Sequence, residues 1–457
     1  MLIVLARLLQ PHDFGIVALA TGIMILMALI LEKGFPQAII QRKEIEDIHI
    51  STAFWATMGL GLLFMMIGIL LSAWLATLLK EPLFATVFNV VSIGIAFEAL
   101  SGIPRALLHR EMQFRPLARH ALIAAVISGI LGLTMAWKGM GAWSIVAQVL
   151  TDRGIRMFLL YTVVPWRPMW LFSSKEFRTL YSYALHSTGF IAMEYIGIRA
   201  AEVIIAITMG LTALGYYALA SKFILTLSQF VFIAFSRIGV PLFAHMQGDS
   251  ARIRRTLLEI LRLGSLCAIP LFVGLCLLSP EVILFFFGQK WHASIPVLQV
   301  LSVMGMLISL FSWNNTILLA IGKPKSLFRI SLISTICTII AMIATAPFGL
   351  AAVAAVQILR VGITAFMTFL ILKEKIGIVV GEYLSPLLSP LMASAIMATA
   401  LLAMRYILPE EIGLMGFAAS VVLGILVYGI SVFVLAPHLR KDVVQFYRNI
   451  QKDDIDQ

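Results

Sequence analysis

Charge is scarce in this sequence: of 457 residues only 12% are Asp, Glu, Lys or Arg, against about 25% in a soluble domain. Apolar residues reach 61%, where about 45–50% is ordinary, and the mean hydropathy is +0.99. No soluble fold of this size has an interior large enough for so much apolar side chain. Cysteine is nearly absent. Cys267, Cys276 and Cys337 sit inside apolar runs, with neither zinc-site spacing nor a disulfide framework, and read as small buried hydrophobes. There is no G-x-x-x-x-G-K-[ST] phosphate loop and no H-E-x-x-H, which excludes ATP use of that kind and a zinc-protease centre. The longest hydrophilic loops, around 164–178 and 244–256, stay under 20 residues and cannot hold an extramembrane catalytic domain. No cofactor or metal is expected. The net charge of +11 never gathers on one face, so no nucleic acid partner is expected; anionic headgroups of membrane lipids are the ordinary explanation.

Long apolar runs are what the chain has instead. A bilayer core takes roughly 20 apolar residues per helix. Spans are read near 15–40, 50–79, 83–107, 118–137, 141–163, 179–208, 211–243, 257–287, 293–321, 327–346, 350–372, 382–404 and 412–436. Met1 to Leu9 is apolar but too short to cross, and runs into a turn-like break at Gln10-Pro11-His12-Asp13. It is expected to be the second half of a first helix, not a signal peptide, which makes about fourteen spans.

The loops orient them. One alternating set carries Arg42, Lys43, Arg105, Arg110, Arg115, Arg119, Arg167, Lys175, Arg178, Arg252, Arg254, Arg255, Lys323, Lys325, Arg329, Lys373, Lys375, Arg440, Lys441, Arg448 and Lys452. The other carries Arg7, Lys80, Lys138, Lys290 and Arg405. Lys and Arg accumulate on the cytoplasmic side, which places both termini there.

The chain also repeats itself. Phe14-Gly15-Ile16-Val17-Ala18-Leu19-Ala20 returns as Leu214-Gly215-Tyr216-Tyr217-Ala218-Leu219-Ala220, and in both copies a proline follows the long helix, Pro36 and Pro241. Lys80, Val87, Val90 and Ser92 match Lys290, Val297, Val300 and Ser302. The offset is six spans, an even number, which implies parallel repeats about an axis along the membrane normal. The expected fold is an all-α transmembrane bundle of two pseudo-symmetric six-helix lobes plus two C-terminal helices. The divisions are 1–165, 166–375 and 376–440, with a cytoplasmic tail at 441–457.

Two lobes suggest alternating access to a central cavity, visible as charge retained inside the membrane. At about 1.5 Å per residue, Asp152, Arg153, Arg199, Lys222 and Arg360 lie roughly 14–18 Å from the outer face, with Glu98 at similar depth. Arg199 and Glu202 form an i,i+3 pair, and Glu194 shares their helix. The balance is cationic. Arg153, Arg199, Lys222 and Arg360 are candidates to bind an anionic substrate such as a sugar pyrophosphate or uronic acid. Glu98, Glu194 and Glu202 are candidates to couple an ion. Internal salt bridging is the alternative for the adjacent sets. Glu32 and Lys33, nearer the inner surface, read as a local pair. Of the histidines only His186 falls inside a span.

Several segments resemble one family. Leu5-Ala6-Arg7-Leu8-Leu9-Gln10-Pro11-His12-Asp13-Phe14-Gly15 and Ala38-Ile39-Ile40-Gln41-Arg42-Lys43-Glu44 are similar to the opening of Wzx-type polysaccharide flippases. Gly215-Tyr216-Tyr217-Ala218-Leu219-Ala220-Ser221-Lys222, Val240-Pro241-Leu242-Phe243-Ala244 and Phe287-Gly288-Gln289-Lys290-Trp291-His292-Ala293-Ser294-Ile295-Pro296-Val297-Leu298-Gln299 resemble later parts. The nearest branch is the colanic acid and teichuronic acid exporters of the multidrug/oligosaccharidyl-lipid/polysaccharide superfamily. The resemblance implies a flippase that moves undecaprenyl-pyrophosphate-linked repeat units across the bacterial inner membrane, with a polysaccharide polymerase and a chain-length regulator as partners. Two departures stand out: the first helix is only half present, and Ser228 replaces a proline common in relatives. A multidrug antiporter of the same fold would need acids left unpaired at the midplane. An intramembrane polysaccharide-modifying enzyme would have to use His186.

Overall fold

The computed structural model describes the backbone of residues 1–42, 44–245, 249–407 and 414–435, with side chains except those of 182–191, 234–245, 407 and 414. The roles assigned to Lys43, Arg440, Lys441, Arg448, Lys452 and the 441–457 tail fall outside what is described, as does the side chain of His186, while Pro241 lies within the helix Leu211–His245 and does not follow it. The described elements are helical throughout: α1 Leu2–Leu8, α2 Pro11–Lys33, α3 Phe35–Gln41, α4 Asp47–Leu79, α5 Pro82–Arg110, α6 Phe114–Trp137, α7 Ala142–Val163 and α8 Ser174–Met209. Then follow α9 Leu211–His245, α10 Ser250–Leu277, the short α11 Ser279–Val282, α12 Ile295–Ala320, α13 Pro324–Thr345, α14 Leu350–Ile376, α15 Val380–Ile407 and α16 Leu414–Leu435. Helices dominate because a bilayer leaves no water for an unpaired peptide group, and a helix satisfies its own.

Of the described helices, 11 are long and apolar enough to cross a membrane. Helices α7 and α8 are as long but carry three charges each near their centres, Asp152, Arg153 and Arg156 or Glu194, Arg199 and Glu202. In α7 those charges, not its length, set it apart. The expected break before α2 is real but sits at Leu9 and Gln10. Pro11, His12 and Asp13 already belong to α2, whose first turn is closed by the Gln10 N–H donating to Asp13 at 3.2 Å. The span read at 257–287 ends earlier, at Leu277.

Side chains confirm the membrane setting. Leu70 is 70% exposed and Phe230 66%, a loss in water but not against lipid. Cys267 and Cys337 are likewise exposed and Cys276 half-buried, so the cysteines are free but not the buried hydrophobes expected. Hydroxyls inside the helices donate one turn back, as Thr57 does to Ala53 O at 2.7 Å and Thr338 to Ser334 O at 2.6 Å.

The described helices group by packing into two units. The first is Met1–Leu219 with Phe328–Val356, and the second Ala220–Leu327 with Gln357–Gln457. In the first, α5 packs on α2, α4 and α7, α6 pairs with α7, and α8 lies on α2. In the second, α10 packs on α12 and α15, and α16 on α15.

The sequence repeat has a structural counterpart inside the first unit. A Cβ on Gly15 would lie 1.8 Å from the Leu211 carbonyl oxygen, and one on Gly215 1.8 Å from that of Pro11. Gly15 and Gly215 are the repeated glycines, and Pro11 and Leu211 stand four residues before them. The start of α2 and the first turns of α9 therefore cross reciprocally, backbone on backbone, which any side chain at either glycine forbids. Ser92 and Ser302, from the second pair of matches, are both fully buried and each donates one turn back at 2.7 Å.

Candidate functional site

The first unit holds a cavity of about 500 Å³ bounded by the C-terminal halves of α2, α5 and α7 and the N-terminal half of α6. All four segments approach the same end of the unit, the end that carries Arg42, Arg110, Arg115 and Arg119. Its charged lining is Glu32, Glu98, Arg105, Asp152, Arg153 and Arg156, joined by His109 and His120. Carboxylates and guanidiniums balance three to three.

The helices place these groups by simple periodicity. On α5, Glu98, Arg105 and His109 fall at i, i+7 and i+11, one face of the helix. On α7, Asp152 and Arg156 are one turn apart, and the guanidinium grips the carboxylate at 2.8 and 3.0 Å. Glu98 Oε1 accepts from Arg105 at 2.7 Å, and its Oε2 lies 3.9 Å from Arg153. Arg105 also stands 4.0 Å from Glu32, which Lys33 holds at 2.9 Å. Arg153 reaches this point because Gly94 has no side chain. Its guanidinium donates to the Gly94 carbonyl at 3.4 Å, and a Cβ there would meet Arg153 Cδ at 3.4 Å and Met24 Sδ at 3.1 Å.

The other expected residues lie elsewhere. On α8, Arg199 pairs with Glu202, donates from Nε to the Tyr195 hydroxyl at 3.0 Å, and sits 5.2 Å over its ring. Tyr195 in turn donates to the Gly22 carbonyl of α2 at 3.5 Å. Glu202 is 4% exposed, and its Oε2 has no hydrogen-bond partner among the described residues. Glu194, two turns earlier, accepts from Ser331 of α13 at 2.9 Å. Lys222 and Arg360 belong to the second unit. Lys222 is exposed on α9; Arg360 is buried on α14, with Nε donating to Gln357 at 2.9 Å. So Arg153 and Glu98 share a cavity, Arg199, Glu194 and Glu202 share a helix, and Lys222 and Arg360 lie on two helices of the other unit.

Sequence reasoning left out Arg105, Arg156, His109 and His120, and read Glu32 as a local pair only. Near the end of its span, Arg105 reads from the sequence as a loop charge. The seven-residue spacing from Glu98 was the available signal.

The second unit holds a cavity of a different kind, about 450 Å³ between α10, α15 and α16. Pro270, Gly274, Met397, Leu401, Phe417 and Gly424 are among its lining, which contains no charged side chain. Gly274 and Gly424 supply the space, and Tyr428 ties α16 to α10 by donating to Leu266 O at 2.9 Å.

Outside the membrane-depth segments, the loop before α8 is strapped to the first unit. Trp55 donates to Met169 O at 2.8 Å and stacks on Trp170 at 4.3 Å. Arg42 donates to Glu176 at 2.7 Å and His49 lies 3.3 Å from it. The hydrogen bond from Arg42 holds the Glu176 carboxyl below the usual carboxylate range. Among the described residues no group of three or more His, Cys, Asp or Glu is placed to hold a metal ion.

Comparison with known proteins adds family and fold. Residues 4–296 match the family described as polysaccharide biosynthesis protein. The succinoglycan biosynthesis transport protein ExoT of Rhizobium meliloti (strain 1021) is 28% identical over 338 residues, 73% of this chain and 68% of that one. The lipopolysaccharide biosynthesis protein WzxC of Escherichia coli (strain K12) is 25% identical over 342 residues, 74% of this chain and 70% of that one. Among solved structures, the lipid II flippase MurJ in an inward closed conformation superposes with a TM-score of 0.78. That match covers 97% of this chain and 96% of the other at 15% identity, a likeness of fold.

Proposed function

The chain belongs to the polysaccharide biosynthesis protein family, and from that premise we propose that it is a flippase for lipid-linked oligosaccharides. In this reading it moves undecaprenyl-pyrophosphate-linked repeat units from the inner to the outer leaflet of the bacterial inner membrane, by alternating access and without chemistry of its own. Both termini face the cytoplasm, as the distribution of Lys and Arg over the loops implies. The end carrying Arg42, Arg110, Arg115 and Arg119 is then the cytoplasmic one, and the cavity of the first unit lies where a substrate made in the cytoplasm arrives.

One observation carries the reading. Six charged side chains line a cavity inside helices otherwise built to meet lipid. Burying charge at such depth is unfavourable and persists where it serves a polar cargo. Arg105 and Arg153 offer planar donors suited to phosphate or carboxylate oxygens. The apolar cavity of the second unit has the chemistry of a site for a hydrocarbon chain. The names of the relatives, a succinoglycan transport protein and a lipopolysaccharide biosynthesis protein, point to the same class of cargo. A drug-cation antiporter is disfavoured because the three acids that line this cavity, Glu32, Glu98 and Asp152, are all ion-paired. A polymerase and a chain-length regulator would act on the product at the outer face.

Deleting the gene tests this. Lipid-linked repeat units should accumulate on the inner leaflet while surface polysaccharide disappears. Unchanged export with no accumulation would remove the flippase reading.

A further inference from the structure

The cavity of the first unit contains its own anion, and this matters if, as proposed above, the cavity receives an anionic headgroup. Arg156 is committed to Asp152 through two hydrogen bonds, at 2.8 and 3.0 Å. Glu32 is held by Lys33 at 2.9 Å. The guanidiniums left for an incoming anion are Arg105 and Arg153, and both are occupied by one carboxylate. Glu98 gives Oε1 to Arg105 at 2.7 Å and Oε2 faces Arg153 at 3.9 Å. An anionic group that bridges Arg105 and Arg153 takes the place that Glu98 holds between them.

We propose that Glu98 is a resident anion, exchanged for an anionic group of the substrate on binding, its charge then cancelled by one proton taken from solvent. Glu98 has 13% of its side chain exposed. The charges around it come from Arg105 and His109 on its own helix, Glu32 on α2, His120 on α6, and Asp152, Arg153 and Arg156 on α7. Helix α3 and the part of α4 from Ile50 onward carry no charged residue. Of the guanidiniums in the cavity, Arg156 is held by Asp152 when the substrate takes Arg105 and Arg153. A carboxylate in so closed a place without a counter-charge is resolved by protonation. The balance is local: one anionic group of the substrate takes the place of the Glu98 carboxylate between Arg105 and Arg153, and one proton cancels the charge of the displaced carboxylate. Substrate binding and proton binding become one event. Glu194 and Glu202 lie outside this exchange, the first bonded to Ser331 and the second to Arg199.

The test uses the full chain in nanodiscs of neutral phosphatidylcholine, with farnesyl pyrophosphate as the probe. Calorimetric titration at pH ~8, well above the phosphate pKa of about 6, is repeated in buffers of different ionisation heat to count protons. The wild-type protein should take up roughly one proton per probe bound. Glu98→Gln should take up none and bind roughly tenfold more tightly, since no exchange is needed. Asp152→Asn should keep the proton uptake. Arg153→Ala should bind more weakly. Wild-type binding without proton uptake, or uptake that persists in Glu98→Gln, overturns the resident-anion proposal and leaves the headgroup cavity standing. No saturable binding by any variant overturns the headgroup cavity itself, and the proposal with it. The wild-type proton count decides the matter even if Glu98→Gln does not fold.

Discussion

The two units answer the same problem, a cavity among membrane helices, in opposite ways. In the first, the space between α2, α5, α6 and α7 is lined by charges that satisfy one another across three of those helices and by two histidines. In the second, the space between α10, α15 and α16 comes from what is missing, the side chains of Gly274 and Gly424, and its walls are apolar. The difference teaches that volume alone says little about a cavity in a bilayer protein. Charged walls are costly to build and must be held in place by partners, so each member is sensitive to loss of the next. Apolar walls of small residues have no partners to lose, so their sensitivity is to filling.

That contrast can be broken by mutation. The largest effect is expected at Arg105→Ala, which takes the 2.7 Å partner from Glu98 and leaves only Arg153 at 3.9 Å. Stability should fall by about 1–3 kcal/mol, the cost of a charged group left under-satisfied, and export should fail. A lowered thermal midpoint in detergent with loss of surface polysaccharide checks this; Arg105→Lys should recover stability better than export. A smaller structural effect is expected at Gly424→Leu. A Cβ there meets Leu401 and Met397 at 3.7–3.8 Å, ordinary contact, so the longer side chain extends into the open cavity. The midpoint should hold within the equivalent of about 1 kcal/mol while export drops. Equal export by Gly424→Leu and wild type would deny the apolar cavity any part in transport.

The smallest effect separates both cavities from the strap on the first unit. Glu176 is held below the usual carboxylate range by the hydrogen bond from Arg42. Its contribution is therefore present above the unfolded carboxylate value and is lost as the pH falls through its lower folded value. Limited proteolysis between Val164 and Ser173 should rise only in acid. Glu176→Gln should bring the same susceptibility to neutral pH without changing either cavity.

Part of this was open to reading along the chain. Asp152 with Arg156, and Arg199 with Glu202, pair within one helix, so their spacing announces them. Glu98 with Arg105 is also a same-helix relation, but it was hidden because Arg105 lies near a span end, where basic residues are ordinarily loop charges. Arg153 against Glu98 joins helices 55 residues apart in sequence, and nothing local predicts it. The repeat around Gly15 and Gly215 was visible as a pattern; that the two copies touch each other was not.

What the sequence by itself determined is the medium and the elements. Continuous apolar runs of bilayer length form helices, because a single segment can satisfy its own peptide groups without water only as a helix. Charge inside those runs had to be significant, because it is costly there. What only the tertiary structure decided is which charges meet. The contacts of Glu98 with Arg153, Glu194 with Ser331, and Gly15 with Leu211 depend on helix rotation and crossing. Close packing between helices sets these, through small residues such as Gly94 and Gly215 that let one backbone approach another.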